Sequence, residues 1–423
     1  MRSRFWLVLS ILALAFLPAL AQKGAKVPKR PKLPAGADTN DAAAYWHHGQ
    51  LMLANDPWEA GDAFFWAIQI NPTWADGYYG RWVALLLADP DRLAALQEGD
   101  AGAAGKTEVR QIDSLRLKAL TLNPFLFERL ERTMIEQSIA KQVPAGVARG
   151  QVELELATMW NKEPYSRAIS AYTRGNFPVA LAGYDTAIAN IIQHDKDHPP
   201  KPKDKEEEEA STADAIAKIH LARGKIFYLA GNYESAYVEL TKASLGKQLS
   251  DKKHVVRVYE SKAILQQSIG LTFERLHKAD SAREAYGRAL LEDLSYAPAH
   301  LALSSLALSQ SDTAQALTEL DLATQMSPND PATAYTYGRA LIYAGKDARA
   351  LEQLKHSVEL DKWFAAPHAL MAFIYDGSDY REEALAEWIT FLSLAVPNDP
   401  YAPKARERIA ALTAKPADST AKP

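Results

Sequence analysis

Residues 331–360 read PATAYTYGRALIYAGKDARALEQLKHSVEL, and the pattern within this stretch decides the fold. Gly338 and Ala350 are small residues twelve positions apart, with Gly345 between them. Leu354 follows four positions after Ala350. Because Gly suits the left-handed backbone that ends a helix, Gly345 predicts a turn between two helices. Two helices pack closely where the side chains at their contact are small, so the stretch predicts a hairpin that crosses at Gly338 and Ala350.

The same pattern recurs along the second half of the chain. A small residue in each predicted second helix recurs every 34 positions, and a large residue follows it four positions later. The regularly spaced small residues are Ala282, Ala316, Ala350 and Ala384, and two earlier ones at longer spacings are Ala180 and Ala236. One helical pair cannot bury its own apolar face, so such pairs stack and share a continuous core.

Residues 214–397 resemble consecutive tetratricopeptide repeats, because the period, the small residues and the turn residues occur together. Residues 42–72 resemble a first repeat, and residues 75–124 a distorted second one. The resemblance implies an all-α fold, a right-handed α-solenoid of helix-turn-helix repeats with a C-terminal capping helix. It also implies that the first helix of each repeat lines a concave groove.

The sequence predicts seven segments with different roles. Pro-rich and acidic composition predicts a solvated insertion, and a polar-faced last helix is expected to cover the final repeat. Residues 125–163 carry apolar stripes of helical spacing that match no repeat. The predicted segments are a signal peptide (1–21), a Pro/Lys-rich linker or tether (22–41), N-terminal repeats (42–124), an atypical helical connector (125–163), the main array (164–400) with a disordered insertion (194–213), a capping helix (401–413) and a disordered tail (414–423).

The first residues predict export. Arg2 and Arg4 precede an apolar run of 13 residues that only Ser10 interrupts, and small residues Ala19 and Ala21 precede the expected cut. This is the layout of a secretory signal peptide. The run is short for a membrane-spanning helix, which takes about 20 residues. We therefore expect cleavage after Ala21, a periplasmic or extracellular location, and no transmembrane span after cleavage.

Composition and motifs argue against several function classes. The formal net charge of −4, from 48 basic and 52 acidic residues, offers no overall cationic surface for nucleic acid. The sequence has no Cys, which excludes disulfides and thiolate metal sites. It has no glycine-rich phosphate loop, no His-Glu-x-x-His and no nucleophile elbow. We therefore expect no enzyme activity, no cofactor and no metal site.

The register of the first helices gives candidate groove residues. By their spacing from the small residues, the groove-facing candidates are Trp46, Gln50, Lys218, Lys225, Tyr228, Gln267, Arg275, Tyr335, Arg339, Tyr343 and Phe373. Aromatic and cationic groups together suit an extended peptide with acidic or apolar side chains. The Lys pattern that chaperone-binding members use for a C-terminal carboxylate is absent, since Leu221 and Tyr335 stand where its first Lys would be.

Three functional interpretations follow. The first is a scaffold or adaptor of the cell envelope that holds a protein or peptide partner in its groove, with the oligomeric state left open. The second is a glycan- or peptidoglycan-binding protein, which requires exposed aromatic platforms at Trp46, Tyr335, Tyr343 and Phe373. The third is an enzyme subunit with a site in residues 125–163, which requires a pocket with perturbed carboxylates there.

Overall fold

The computed structural model describes residues 27–89, 103–130, 133, 164–203, 205–250 and 262–414. Within these ranges the secondary structure is seventeen helices and no strand. In chain order the helices are α1 (Ala42–Met52), α2 (Pro57–Ile70), α3 (Ala75–Ala88), α4 (Ala103–Leu122), α5 (Pro164–Thr173), α6 (Phe177–Asp197), α7 (Lys205–Leu229), α8 (Tyr233–Ser250), α9 (Lys262–Arg275), α10 (Ala279–Glu292), α11 (Ala297–Ser309), α12 (Thr313–Met326), α13 (Pro331–Tyr343), α14 (Asp347–Leu360), α15 (Ala365–Gly377), α16 (Arg381–Leu394) and α17 (Ala402–Thr413).

Consecutive helices pair into hairpins that stack along the chain. From α5 onward each odd-numbered helix packs against the even-numbered helix that follows it, and α17 packs on α16. The small residues predicted for the second helices are all fully buried, namely Ala180, Ala236, Ala282, Ala316, Ala350 and Ala384. The predicted all-α solenoid of helix-turn-helix repeats is confirmed, and α17 closes its C-terminal end.

Glycines set the closest approach of the paired helices. A methyl group placed on Gly270 would lie 2.4 Å from the ring of Tyr286, which is too close for any real side chain. A methyl group on Gly338 would lie 2.8 Å from the side chain of Leu354 and 3.3 Å from the carbonyl oxygen of Ala350. The hairpin therefore crosses where the sequence predicts. The tightest contact is to the large residue one turn beyond the small one.

The described chain has two parts. The N-terminal unit, residues 28–130, contains α1 to α4 around a core that includes Tyr45, Phe64 and Tyr79. The C-terminal array, residues 164–414, contains α5 to α17. No helix in the described ranges is long and apolar enough to cross a membrane.

The segment predicted to be a linker is not a free spacer over residues 28–40. The indole Nε1 of Trp66 donates a hydrogen bond to the carbonyl oxygen of Pro28 at 3.2 Å. Arg30 Nε donates to the hydroxyl of Tyr45 at 2.7 Å, and Asn40 Nδ2 donates to the carbonyl oxygen of Ser393 at 2.8 Å. Contacts with distant aromatic residues hold this segment, and its local composition could not reveal them.

The insertion predicted at 194–213 is shorter than expected. Helix α6 continues to Asp197 and α7 begins at Lys205, so helix occupies most of the predicted insertion. The first turn of α7 holds three acidic residues, which the positive end of the helix dipole stabilises. Thr212 Oγ1 also donates to Asp195 Oδ2 at 2.8 Å and ties the two helices together.

The predicted helical connector begins with a stretch that is not helical. Helix α4 ends at Leu122, and residues 123–130 form turns and extended backbone. Pro124 cannot continue a helix, and Asn123 Oδ1 accepts a hydrogen bond from the Phe125 backbone N–H at 3.0 Å. The rest of the connector after residue 133, the signal peptide (1–21) and the tail after Ala414 lie outside the described residues.

Candidate binding groove and interface cavity

Part of the predicted groove is filled by the protein's own chain. Residues 121–128, here called the cis segment, leave the end of α4 and lie against the first helices α7 and α9. The Phe125 ring stacks on the Tyr228 ring with centroids 3.5 Å apart and planes 1° from parallel. Gln267 Nε2 donates to the carbonyl oxygen of Thr121 at 3.1 Å. Two of the predicted groove residues thus bind a segment of peptide from the same molecule.

An ion pair completes this contact. Lys225 Nζ, also predicted to face the groove, lies 3.2 Å from Glu128 Oε2. Arg116 Nη2 lies 3.3 Å from the other carboxylate oxygen, Glu128 Oε1. Burial raises the pKa of Glu128, but the charges and hydrogen bonds of Lys225 and Arg116 outweigh burial and leave that pKa below its usual value. The carboxylate is therefore held ionised between two cations from different parts of the chain.

Other predicted groove residues do not face a groove. Trp46 is only 3% exposed and lies in the core of the N-terminal unit, with the Arg129 guanidinium 4.4 Å over its ring. Gln50, on the same helix, is half-buried. Phe373 is half-buried against Trp388, at a centroid distance of 4.7 Å. The register placed these residues on the first-helix face, but packing of neighbouring elements covers that face at both ends of the chain.

Lys218 and Arg275 are exposed but already have partners. Lys218 Nζ lies 2.9 Å from Asp214 Oδ2 one turn earlier in α7. Arg275 Nε donates to the Tyr228 hydroxyl at 3.2 Å, which places Arg275 beside the cis segment's stacking partner.

The accessible part of the predicted groove face lies on α13. Tyr335, Arg339 and Tyr343 are four positions apart and share one face of this helix. Tyr343 is 78% exposed, and the Arg339 guanidinium is exposed and lies 5.8 Å from the Tyr335 ring centre. The structure therefore brings these three predicted residues together on an accessible surface.

Exposure of the aromatic residues weighs against the glycan interpretation. That interpretation required Trp46, Tyr335, Tyr343 and Phe373 to form exposed platforms. Trp46 is buried, Tyr335 and Phe373 are half-buried, and Tyr343 alone of the four is fully exposed. One exposed ring does not form a stacking platform for a sugar chain.

A second feature, which no sequence motif predicted, is a cavity between the two parts. This interface cavity has a volume of about 560 Å³. The N-terminal unit contributes α4 and the region around the turn between α2 and α3. The array contributes the loops that precede α11, α13 and α15. Its charged and polar lining includes Gln69, Arg81, Lys118, Asp330, Thr333 and Asp361.

Most of the charge on the array side of this cavity is compensated. Lys118 Nζ lies 3.0 Å from Asp330 Oδ1. The Thr333 backbone N–H and hydroxyl donate to Asp330 Oδ2 at 3.2 and 2.6 Å. Asp361 accepts a hydrogen bond from the Trp363 backbone N–H at 3.0 Å, which lowers its pKa, but burial dominates and raises that pKa to about 7.

On the opposite wall, burial lowers the pKa of Arg81 to about 10. No group of three or more His, Cys, Asp or Glu residues in the described part of the chain is arranged to hold a metal ion. The interface cavity lies apart from residues 125–163, where the enzyme interpretation placed its site.

Comparisons with known proteins give distant similarity. No protein-family model matches the sequence, and no curated protein matches it. Solved structures that match include MamA (16% identity, 44% of this chain and 96% of that chain, TM-score 0.35). They also include Pseudomonas aeruginosa pilF (18% identity, 49% and 90%, TM-score 0.36) and YrrB, described as a TPR protein with an unusual peptide-binding site (17% identity, 51% and 97%, TM-score 0.36).

The class follows from the helical pairs, their 34-residue spacing and their buried small residues. The chain is a helical-repeat protein with a fold of the tetratricopeptide type.

Proposed function

We propose that the protein is an exported scaffold that binds an extended segment of a protein partner in the groove of its repeat array. The observation that carries this proposal is the cis segment. Helices α7 and α9 contact residues 121–128, which are the last two residues of α4 and the six that follow, through aromatic stacking, an ion pair and a hydrogen bond to a main-chain carbonyl. These are interactions by which a groove recognises an extended peptide.

The partner would occupy the open surface on α13. Arg339 suits an acidic side chain, and Tyr335 and Tyr343 suit apolar or aromatic ones. Tyr and Arg are enriched among the residues that dominate binding energy at interfaces. The predicted signal peptide supports a location in the cell envelope or outside the cell.

Site-specific cross-linking in the native host tests the groove. A photo-reactive phenylalanine analogue would replace Tyr343, and a matched control would carry the analogue at Leu291, which is 82% exposed on the second helix α10. We expect position 343 to capture a defined protein that position 291 does not. Adding Arg339→Glu should reduce the yield at position 343 at least tenfold. Equal products from both positions, or none from position 343 of the folded protein, would contradict the proposal.

A separate experiment tests the location of the protein. Cell fractionation followed by N-terminal sequencing of the mature protein should place it outside the cytoplasm with Gln22 as its first residue. Recovery of the intact chain from the cytoplasm would remove the export part of the proposal and leave the binding part standing.

A further inference from the structure

The N-terminal wall of the interface cavity holds a half-buried cation that forms no close ion pair. Arg81 lies on α3, and its guanidinium lies 4.6 Å from the centre of the Phe65 ring. Within the described ranges no carboxylate lies within ion-pair distance of Arg81, and the guanidinium donates no hydrogen bond; Asp62 attracts its charge from a greater distance. A charge that is partly removed from water is costly unless an opposite charge and hydrogen bonds compensate it. Arg81 is therefore ready to accept an anion from outside the chain.

A second unsatisfied donor lines the same cavity. Gln69, in the last turn of α2, is 92% buried, and its Nε2 has no acceptor. Most buried polar groups in native proteins have a hydrogen-bond partner, so an orphan amide donor at a cavity wall points to a missing acceptor. Arg81 and Gln69 come from neighbouring helices and both require an acceptor.

The remaining walls restrict what this acceptor can be. Asp330 is already saturated by Lys118 and Thr333, and Glu359 and Asp361 add two more carboxyl groups to the array side. These three carboxyl groups disfavour a ligand with two negative charges. Much of the other lining is apolar, namely Ile68, Leu115, Leu122, Pro298, Leu301 and Ala332.

We propose that the interface cavity binds a small amphiphilic monocarboxylate. Its carboxylate oxygens accept hydrogen bonds from Arg81 and Gln69, a pairing for which the guanidinium fork is suited. Its apolar part packs against Leu115, Leu122 and Leu301. Pockets of about 300–1,000 Å³ hold ligands of this size, and the measured volume falls in that range. The site is separate from the groove and does not depend on the proposed partner.

Calorimetric titration of the purified protein with decanoate, below its micelle concentration, tests the proposal. Methyl decanoate keeps the tail without the charge, and decyl phosphate adds a second charge. We expect saturable binding of decanoate at one site, binding at least tenfold weaker for decyl phosphate, and no binding of methyl decanoate. Arg81→Gln should weaken decanoate binding at least tenfold, whereas Arg283→Gln, a half-buried control on α10 outside the cavity lining, should leave it unchanged.

Gln69→Leu provides a second variant in case Arg81→Gln does not fold. It removes the orphan donor and keeps an apolar side chain of similar size, so this variant should fold at least as stably as the wild type. Its decanoate affinity should fall at least threefold. The proposal is overturned if both variants bind decanoate like the wild type, if methyl decanoate binds equally well, or if the folded wild type gives no binding at 1 mM decanoate.

Discussion

At the residue scale, three turns of the array hold a strained backbone. His277, Ser311 and Asp379 have φ of 56°, 62° and 63°, in the left-handed region that favours glycine. Ser311 and Asp379 lie 34 positions on either side of Gly345, which has φ of 65° in the same turn of its own repeat. The repeat geometry requires this conformation even where the sequence offers a residue other than glycine.

Ser311→Gly should therefore stabilise the protein. The left-handed conformation costs a residue other than glycine roughly 1–2 kcal/mol, and the greater freedom of glycine in the unfolded chain cancels part of the gain. We expect the free energy of unfolding in urea to rise by about 0.5–1 kcal/mol. The reverse change, Gly345→Ala, should lower it by about 1 kcal/mol or more. A loss of stability in Ser311→Gly, or a gain in Gly345→Ala, would refute this account.

Buried His–Glu pairs recur at one position of the repeat. The imidazoles of His220, His300 and His368 bond Glu residues nineteen positions later, and His300 Nδ1 lies 2.8 Å from Glu319 Oε2. The repeat between the last two has Ala334 and Gln353 at these positions, and the Gln353 Oε1 has no partner. Histidine thus occurs at this site together with glutamate.

A double-mutant cycle measures the coupling within such a pair. His300→Ala leaves the Glu319 carboxylate without its partner and should cost about 1–3 kcal/mol of stability. His300→Ala with Glu319→Gln reproduces the pair found in the next repeat, and should cost less than the sum of the single changes by about 1 kcal/mol or more. Additive effects in urea unfolding would show that the pair contributes nothing as a pair.

Asp361 makes the free energy of unfolding depend on pH, and its raised pKa fixes the direction of that dependence. Burial raises its folded pKa from 3.8 to about 7, so the folded state binds this proton more tightly than the unfolded state does. Stability from this residue is then greatest below the unfolded pKa and is lost as pH rises toward 7.

Asp361→Asn should remove the loss of stability that the wild type shows as pH rises. Asn can still accept the Trp363 backbone hydrogen bond, so the variant should gain on the order of 2–4 kcal/mol at pH 8 relative to the wild type. Asp293, which caps the equivalent loop and is more exposed, provides the control variant Asp293→Asn, with an expected change under about 1 kcal/mol. A loss of stability at pH 8 for Asp361→Asn would show that the carboxylate itself is required.

At the element scale, the cis segment depends on Glu128. Its folded pKa is below the unfolded value, so its contribution to stability is complete above the unfolded pKa, near 4.5, and disappears as pH falls through the lower folded pKa. Glu128→Gln should reduce stability at pH 7 by about 3 kcal/mol, because Lys225 and Arg116 lose their counter-ion.

Hydrogen exchange would localise this effect. Amides of residues 123–130 and of the middle of α7 should exchange faster in Glu128→Gln than in the wild type at pH 7. The exposed control Glu209→Gln should leave them unchanged. Exchange that is equal in all three proteins would mean that the ion pair does not hold the segment.

The local sequence pattern predicted the helical hairpins, because their positions depend on that pattern. The spacing of Ala282, Ala316 and Ala350 predicted the hairpins, because a fixed period forces the same small residue into every crossing. It could not predict the cis segment, because Lys225 and Glu128 are 97 positions apart and neither side of that contact repeats. The register of the first helices gave no sign that the same chain packs against part of their predicted face.

Two other predictions, the linker and the insertion, were wrong because they also relied on local composition. Prolines and charges at 28–40 and acidic residues at 206–209 have compositions typical of solvated segments. Arg30 is instead fixed by aromatic rings from distant positions, and the acidic run begins a helix. The interface cavity could not be predicted because it forms only where two distant parts of the chain meet.

At the scale of the whole molecule, Arg30 joins the two parts. Its guanidinium lies 5.3, 4.8 and 5.4 Å from the ring centres of Tyr45, Trp66 and Trp363. Trp363 belongs to the array, and its ring centroid lies 5.3 Å from that of Trp66. Together with the hydrogen bond from Asn40 to Ser393, this cluster links the first helices to the last repeat.

Arg30→Ala should loosen this link. Cation–π contacts contribute about 0.5–2 kcal/mol each, so we expect the free energy of unfolding to fall by about 1–3 kcal/mol. Small-angle scattering should show a larger radius of gyration for the folded variant. Lys32→Ala, an exposed neighbour, is the matched control. Unchanged stability and dimensions for Arg30→Ala would show that other contacts suffice to hold the two parts together.

The contact between Asn40 and Ser393 spans 353 positions of sequence. Most repeat proteins are built from contacts between neighbours, so they can fold from one end while the rest of the chain is still being made. Here the ribosome must have released almost the whole chain before the first helices can find their final neighbours, and folding slows as contacts become more distant in sequence. Until then Trp66 and the end of α4 lack the surfaces that cover them. The newborn protein therefore has an early period in which the Trp66 ring lacks the Trp363 ring that packs on it in the folded state.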